Sequence, residues 1–182
     1  MPSGGRPAPS PLVKPFAFLL DKARVPVQVH LGDEVISVDT VVSGSAMPAA
    51  PVPDPVAWID PPGEPLVEVP LVKLAWARSG DKGDNSNIGL IARRFEWLPL
   101  LWARITPETV ASYFAHLLKD GAATRVDRFH LPGIAGMNFV LHGALAGGGP
   151  ASPRFDPLGK GFAQMLLDLP VKVPASWEKS AP

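Results

Sequence analysis

The sequence predicts a two-layer α+β sandwich, an antiparallel or mixed sheet with its helices on one face. Two pairs of short apolar runs read as strands, about Leu71–Arg78 with Asn87–Arg94 and Thr124–Leu131 with Gly136–Leu145. Each pair is followed by a segment whose apolar residues recur at helical spacing. The resulting order β, β, α, β, β, α contains no clean βαβ repeat, which favours helices segregated to one side. At 182 residues the chain has room for one domain of ordinary size and a tail.

The tail comes first, over residues 1–42. Residues 1–10 are rich in Pro, Gly and Ser and are expected to be disordered. Pro15–Lys22 fits a short helix with Pro in its first turn. Val25, Val27, Val29 and Leu31 alternate with Pro26, Gln28 and His30, a half-buried strand pattern; Gly32-Asp33 supplies a turn and Val35–Val38 returns. A lone hairpin is only marginally stable, so this one needs a partner, either the body of the chain or another subunit. Residues 43–65 read as an extended Pro/Ala-rich linker, because eight prolines fall between Met47 and Leu71 and no period of 2 or 3.6 survives. Trp58 within it is placed to dock on the body. The folded domain is expected over 66–182.

After the first strand pair, Trp97, Leu98, Leu101, Trp102 and Ile105 fit a short helix. Thr106-Pro107-Glu108 then combines a capping hydroxyl, a first-turn Pro and an acid near the positive end of the helix dipole. Val110, Tyr113, Phe114, Leu117 and Leu118 give that helix one apolar face, and Gly121 ends it. Asp156-Pro157 opens the last helix, with Leu158, Phe162, Met165, Leu166 and Leu169 on one side. The aromatic weight of Phe95, Trp97 and Trp102 exceeds what one short helix buries against a small sheet. A subunit interface and a homo-oligomer are therefore expected.

The chemistry concentrates between the first two strands, in Arg78-Ser79-Gly80-Asp81-Lys82-Gly83-Asp84-Asn85-Ser86-Asn87. Gly80 and Gly83 tolerate positive φ, and the Asp, Asn and Ser side chains can bond nearby backbone amides, so the segment is expected to be a loop that holds its own shape. Its freed amides and Lys82 could cradle a phosphate or carboxylate. It is not a P-loop, since the Gly-Lys-Ser/Thr ending is absent. Nor is it an EF-hand, since no bidentate Glu closes a twelve-residue loop. Two readings stay open: a binding site, or a turn held by Asx bonds and an ion pair. On the first, Asp81, Lys82 and Asp84 are catalytic candidates, with Arg78, Ser79, Gly80, Gly83, Asn85, Ser86 and Asn87 binding ligand.

The run from Ala77 to Arg93, ARSGDKGDNSNIGLIAR, resembles the signature of the small C-terminal domain of the acyclic terpene utilisation (AtuA) family. The resemblance extends loosely over about Pro70–Leu169 and implies a ferredoxin-like sandwich. Pro11–Val38 resembles the tail of the large N-terminal domain of that family, whose remainder has no counterpart in this sequence. The resemblance also implies a place in the catabolism of acyclic terpenes or branched-chain acids, with an acyl-CoA or other acidic small molecule as ligand and a large AtuA-like domain or subunit as partner.

A second candidate comes from hairpin arithmetic. If the turn is centred near Ile134, Phe129 opposes Phe139 and Leu131 opposes Met137 on an apolar face. Arg128 then opposes Val140, His130 opposes Asn138 and His142 opposes Val126 on the face away from the helices. In that register His130 is a candidate general base oriented by Asn138, or simply a solvent-facing or interface histidine. His130 and His142 would lie roughly 13 Å apart at ~3.3 Å per residue, too far to share a metal, so no metal site is expected.

Composition closes off other classes. Lys+Arg 17 against Asp+Glu 17 gives no basic excess for nucleic acid and no basic amphipathic run for a membrane surface. The count of 0 Cys removes disulfides, thiolate zinc sites and cysteine nucleophiles, and fits a reducing cytoplasm. No run approaches the ~20 apolar residues of a spanning helix. No cofactor is indicated. Three functional readings remain: part of a catabolic enzyme acting on an acyl-CoA or organic acid, a non-catalytic module docking on a large AtuA-like subunit, or a truncated gene product without activity of its own.

Overall fold

The computed structural model describes residues 11, 13, 16, 18–39 and 50–178. The disorder expected over residues 1–10 and the first part of the linker, 43–49, lie outside the described residues. Of the helix expected over Pro15–Lys22, the described residues show no turn before a 3-10 segment at Lys22–Arg24, where the Asp21 side chain accepts from Ala23 N at 2.9 Å. Pro15–Pro51 forms one compact unit, and Val52 onward forms the body of another.

In the first unit, β1 (Val27–Leu31) and β2 (Glu34–Val38) make the expected hairpin about Gly32-Asp33. Val27 opposes Val38 and Val29 opposes Ile36, so one face is apolar. Every residue of both strands is exposed.

The second unit begins with residues 52–65, which form no helix or strand. Trp58 packs edge-on to Trp177 with ring centroids 5.4 Å apart, and Trp177 stacks on buried Trp97 at 5.3 Å. Asp60 accepts from Trp58 Nε1 at 2.9 Å and takes both carboxylate oxygens to Arg104 Nη2 at 2.6 Å. β3 (Leu66–Pro70) then pairs antiparallel with β8 (Pro170–Pro174), a two-stranded ladder with Val69, Val171 and Val173 buried. Neither strand is in the expected β, β, α, β, β, α series, and the last helix, α3 (Phe162–Leu167), stops short of Leu169 to let β8 form. A short α4 (Ala175–Glu178) follows.

The main sheet has four strands, β4 (Ala75–Lys82), β5 (Asn85–Ala92), β6 (Val126–Leu131) and β7 (Gly136–Leu141), in the antiparallel order β4-β5-β7-β6. α1 (Leu98–Arg104) and α2 (Pro107–Tyr113) connect the two strand pairs. The expected cap holds: Thr106 Oγ1 accepts from Thr109 N at 3.2 Å, and Val110, Phe114 and Leu118 are buried.

Alternation along the strands sorts the sheet into two faces. Ala75, Ile88, Leu90, Met137, Phe139 and Leu141 point to the helices and share one buried cluster with Leu100, Leu101, Phe114, Phe162 and Leu166. The structure is thus α+β, with helices on one side of an antiparallel sheet. The other face carries Trp76, Arg78, Lys82, Asn87, Asn138 and Phe129, and no helix among the described residues of this unit covers it. Among the described residues, no helix is long and apolar enough to cross a membrane.

Two expectations about this sheet are corrected. The SGDKGDNSN segment is not an open loop: β4 and β5 pair through Asp81↔Ser86 and Lys82↔Asn85, leaving only Gly83-Asp84 in the turn. Gly83, at φ +64°, supplies the left-handed residue that a two-residue hairpin needs. The β6–β7 register also differs by one residue. Phe129 opposes Asn138, His130 opposes Met137 and Arg128 opposes Phe139. Four residues separate the strands, a 3-10 turn at Pro132–Ile134 and Ala135 at φ 48°, so the pairing centres between Gly133 and Ile134. His130 therefore lies on the helix side, and Phe129, 51% exposed, lies outside.

Candidate functional site

Six side chains of the Arg78–Asn87 segment have defined partners, and most of these partners are structural. Buried Ser79 donates to Lys160 O at 3.1 Å and accepts from Ala163 N at 2.9 Å, which fastens the start of α3 to β4. Buried Ser86 donates to Gly80 O at 3.1 Å across the hairpin. Asp84 Oδ1 accepts from Gly147 N at 2.6 Å and Asn85 Oδ1 from Gly143 N at 3.0 Å. These are not the local Asx bonds expected of a self-held loop: they hold the distant loop over 143–149 rather than their own turn. Gly148 is packed so closely on that turn that a Cβ would stand 2.0 Å from Gly83 O. Asp81 faces Lys160 Nζ at 3.4 Å, and Asn87 Nδ2 donates to Asn138 Oδ1 at 3.2 Å.

Arg78 and Lys82 differ from these. Both are exposed, and among the described residues neither side chain makes a hydrogen bond or ion pair. They stand on the bare face of the sheet around a depression of about 330 Å³, lined also by Gly80, Asp81, Asn87, Gly89 and Lys160. Lys160 reaches it round the β4 edge, its Nζ 3.2 Å from where a Gly80 Cβ would be. Three cations face one carboxylate over a floor of two glycines, so backbone is exposed where side chains would otherwise stand. Such a surface attracts an anion in water, most strongly at low salt.

Of the residues the sequence placed in one site, Arg78, Ser79, Gly80, Asp81, Lys82 and Asn87 line this depression, with two residues it missed, Gly89 and Lys160. Lys160 is 78 residues beyond Lys82; the Ser79 bond to Lys160 O and the close packing of Gly159, whose Cβ would meet Ser86 Oγ at 2.7 Å, carry it there. Nothing in local spacing signals that.

A profile of the AtuA ferredoxin-like domain matches residues 69–172, more than half of the chain. The chain belongs to this family. No curated protein and no solved structure matches it. In this AtuA ferredoxin-like domain the matched span takes in the main sheet and all of α1, α2 and α3.

His130 does not join the site. The pairing of His130 with Asn138 is lost with the register: Asn138 bonds Asn87, whereas His130 Nδ1 bonds Pro53 O at 2.7 Å and its ring lies 5.4 Å from that of Trp102. A carbonyl only accepts, so the proton is on Nδ1 and the ring ties residues 52–55 to β6. Arg128 shares that inner face because its guanidinium stacks on Trp102 at 3.6 Å and donates to Trp102 O and to Ile105 O, the latter at 2.9 Å, at the end of α1. Burial holds Arg128 below its ordinary value. Among the described residues, no group of three or more His, Cys, Asp or Glu could hold a metal ion.

Proposed function

We propose that this AtuA ferredoxin-like domain binds the anionic group of a small organic acid or acyl-CoA on the bare face of its sheet. Lys82, Arg78 and Lys160 supply the attraction, and Asn87 and the backbone at Gly80 and Gly89 line the base. The observation that carries this reading is the pair of cations, Arg78 and Lys82, unpartnered among the described residues, beside a depression with a glycine floor. About 330 Å³ takes a phosphate or carboxylate head with part of the group that carries it, so the rest of an acyl-CoA would lie along the sheet. In this reading the chain works as part of a cytoplasmic enzyme of acyclic terpene or branched-chain acid catabolism, as the family resemblance implies. Asp81 serves by positioning Lys160 rather than by acid–base chemistry.

A second reading is favoured by Trp76 and Phe129, 52% and 51% exposed on the same face. There the sheet docks on a large AtuA-like subunit or a second copy, with the cations setting orientation. Calorimetric titration with acetyl-CoA and with inorganic phosphate separates the two. Lys82→Ala weakens binding several-fold without moving Tm if the face is an anion site, because an exposed charge adds little to stability. No detectable binding of either probe by the wild-type chain overturns the first reading.

A further inference from the structure

A second cavity lies at the end of the sheet, away from the cations discussed so far. Its volume is about 420 Å³, and its walls include His142, Thr124, Lys119, Arg154, Asp84 and Asp120. His142 follows β7 and extends the ladder, its N–H donating to Arg125 O at 3.0 Å. Its Nε2 lies 2.8 Å from Asp127 Oδ2. Asp127 also receives Arg125 Nε at 2.9 Å and Nη2 at 2.8 Å. Those donors, Arg125 first and then His142, hold the Asp127 carboxyl below its ordinary range.

A carboxylate so held only accepts, which fixes the imidazole tautomer. Nε2 carries a proton toward Asp127, and Nδ1, an acceptor whenever the imidazole is neutral, has no partner among the described residues. An oriented acceptor on a cavity wall selects a ligand with a hydrogen-bond donor. Lys119 and Arg154 add two cations, the latter anchored through its Nη2 to Leu117 O. Asp84 and Asp120 offset that charge, so a bare anion gains little here. A molecule that joins an anionic group to a donor satisfies both sets of walls.

We propose that this cavity is a second small-molecule site, which takes a small hydroxycarboxylate with its carboxylate toward Lys119 and Arg154 and its hydroxyl donating to His142 Nδ1. It uses none of the residues of the bare-face site except through the shared hairpin turn at Asp84. Cavities of this size commonly hold small ligands with a few placed polar groups.

The test compares lactate with propionate, which differ by the hydroxyl, on the full chain by imidazole-resolved NMR titration. Lactate is expected to shift the His142 Nδ1 resonance and to bind roughly tenfold more tightly than propionate, the scale of one added hydrogen bond. His142→Ala abolishes that preference. Lys119→Ala, on the exposed rim, weakens both acids and keeps the preference, which covers the case in which His142→Ala does not fold. Lys82→Ala leaves the lactate shift unchanged, so the outcome is independent of the bare-face site. Equal binding of the two acids, no His142 shift with lactate, or an intact preference in folded His142→Ala overturns the proposal.

Discussion

Gly148→Ala tests how the charged hairpin is held. Gly148 sits at φ +68°, and a Cβ there would lie 2.0 Å from Gly83 O and 2.6 Å from Gly83 C. The backbone there, φ +68° with ψ 155°, is one that essentially only glycine adopts, and alone it costs an alanine about 1–3 kcal/mol. The overlap is with backbone, so relief requires moving one loop off the other, about 1–3 kcal/mol by analogy with overpacked cores. If that movement breaks the 2.6 Å bond from Gly147 N to Asp84 Oδ1, another ~1 kcal/mol is lost. The total, about 3–7 kcal/mol, is a large share of an ordinary stability of roughly 5–15 kcal/mol. The control is Gly149→Ala, at φ +50° with nothing within 4 Å of its Cβ, which carries a positive-φ backbone cost without any overlap. Thermal melts followed by circular dichroism should show Gly148→Ala lower in Tm by roughly 5 °C or more beyond Gly149→Ala. Equal Tm losses for the two variants would refute the close approach.

The remaining expectations concern the anchors. Asp84→Ala removes the acceptor for Gly147 N and should cost about 1 kcal/mol, whereas Asp84→Asn keeps an Oδ1 and should cost less than half of that; urea melts of both variants check the order. Asp60 is held below its ordinary 3.8 by the Trp58 hydrogen bond first and Arg104 second. A lowered folded pKa means that the stabilisation is present above 3.8 and lost as pH falls through the lower folded value. Tryptophan fluorescence should therefore change below pH 3.8 as Trp58 loosens, and Asp60→Asn should remove that transition; a transition unchanged in Asp60→Asn assigns it elsewhere.

Much of the sheet was legible in sequence because its signals are local. The alternation of Ile88 and Leu90 and the Thr106 cap each depend on residues within a few positions of one another. The β6–β7 register was not legible, since it depends on the conformation of Pro132–Ala135. A left-handed Ala135 gives no compositional hint, and Phe129 suggested an inward face that Arg128 takes instead by stacking on Trp102. β3 and β8 were missed because each is short, bounded by prolines and paired across about a hundred residues. The same limit hid Lys160: the segment reads as one self-contained loop until the glycine-rich returns are folded onto it. The mixed charge was a sound pointer to a site, yet half of its polar side chains turn out to fasten backbone, and only Arg78 and Lys82 are left exposed and unpaired.

The most direct measurement on the central claim is acetyl-CoA titration of Gly89→Val. A Cβ at Gly89 meets only Arg78 O at 3.8 Å and Asn138 Oδ1 at 4.0 Å, and its backbone is ordinary strand, so the fold accepts the substitution. Valine suits a strand at least as well as glycine, and Tm should be unchanged or higher. Its methyls would stand on the floor of the depression between Arg78, Lys82 and Lys160 without altering any charge. The account expects a loss of affinity of roughly tenfold or more at constant salt, with the melt intact; binding as tight as that of the unsubstituted chain would contradict it.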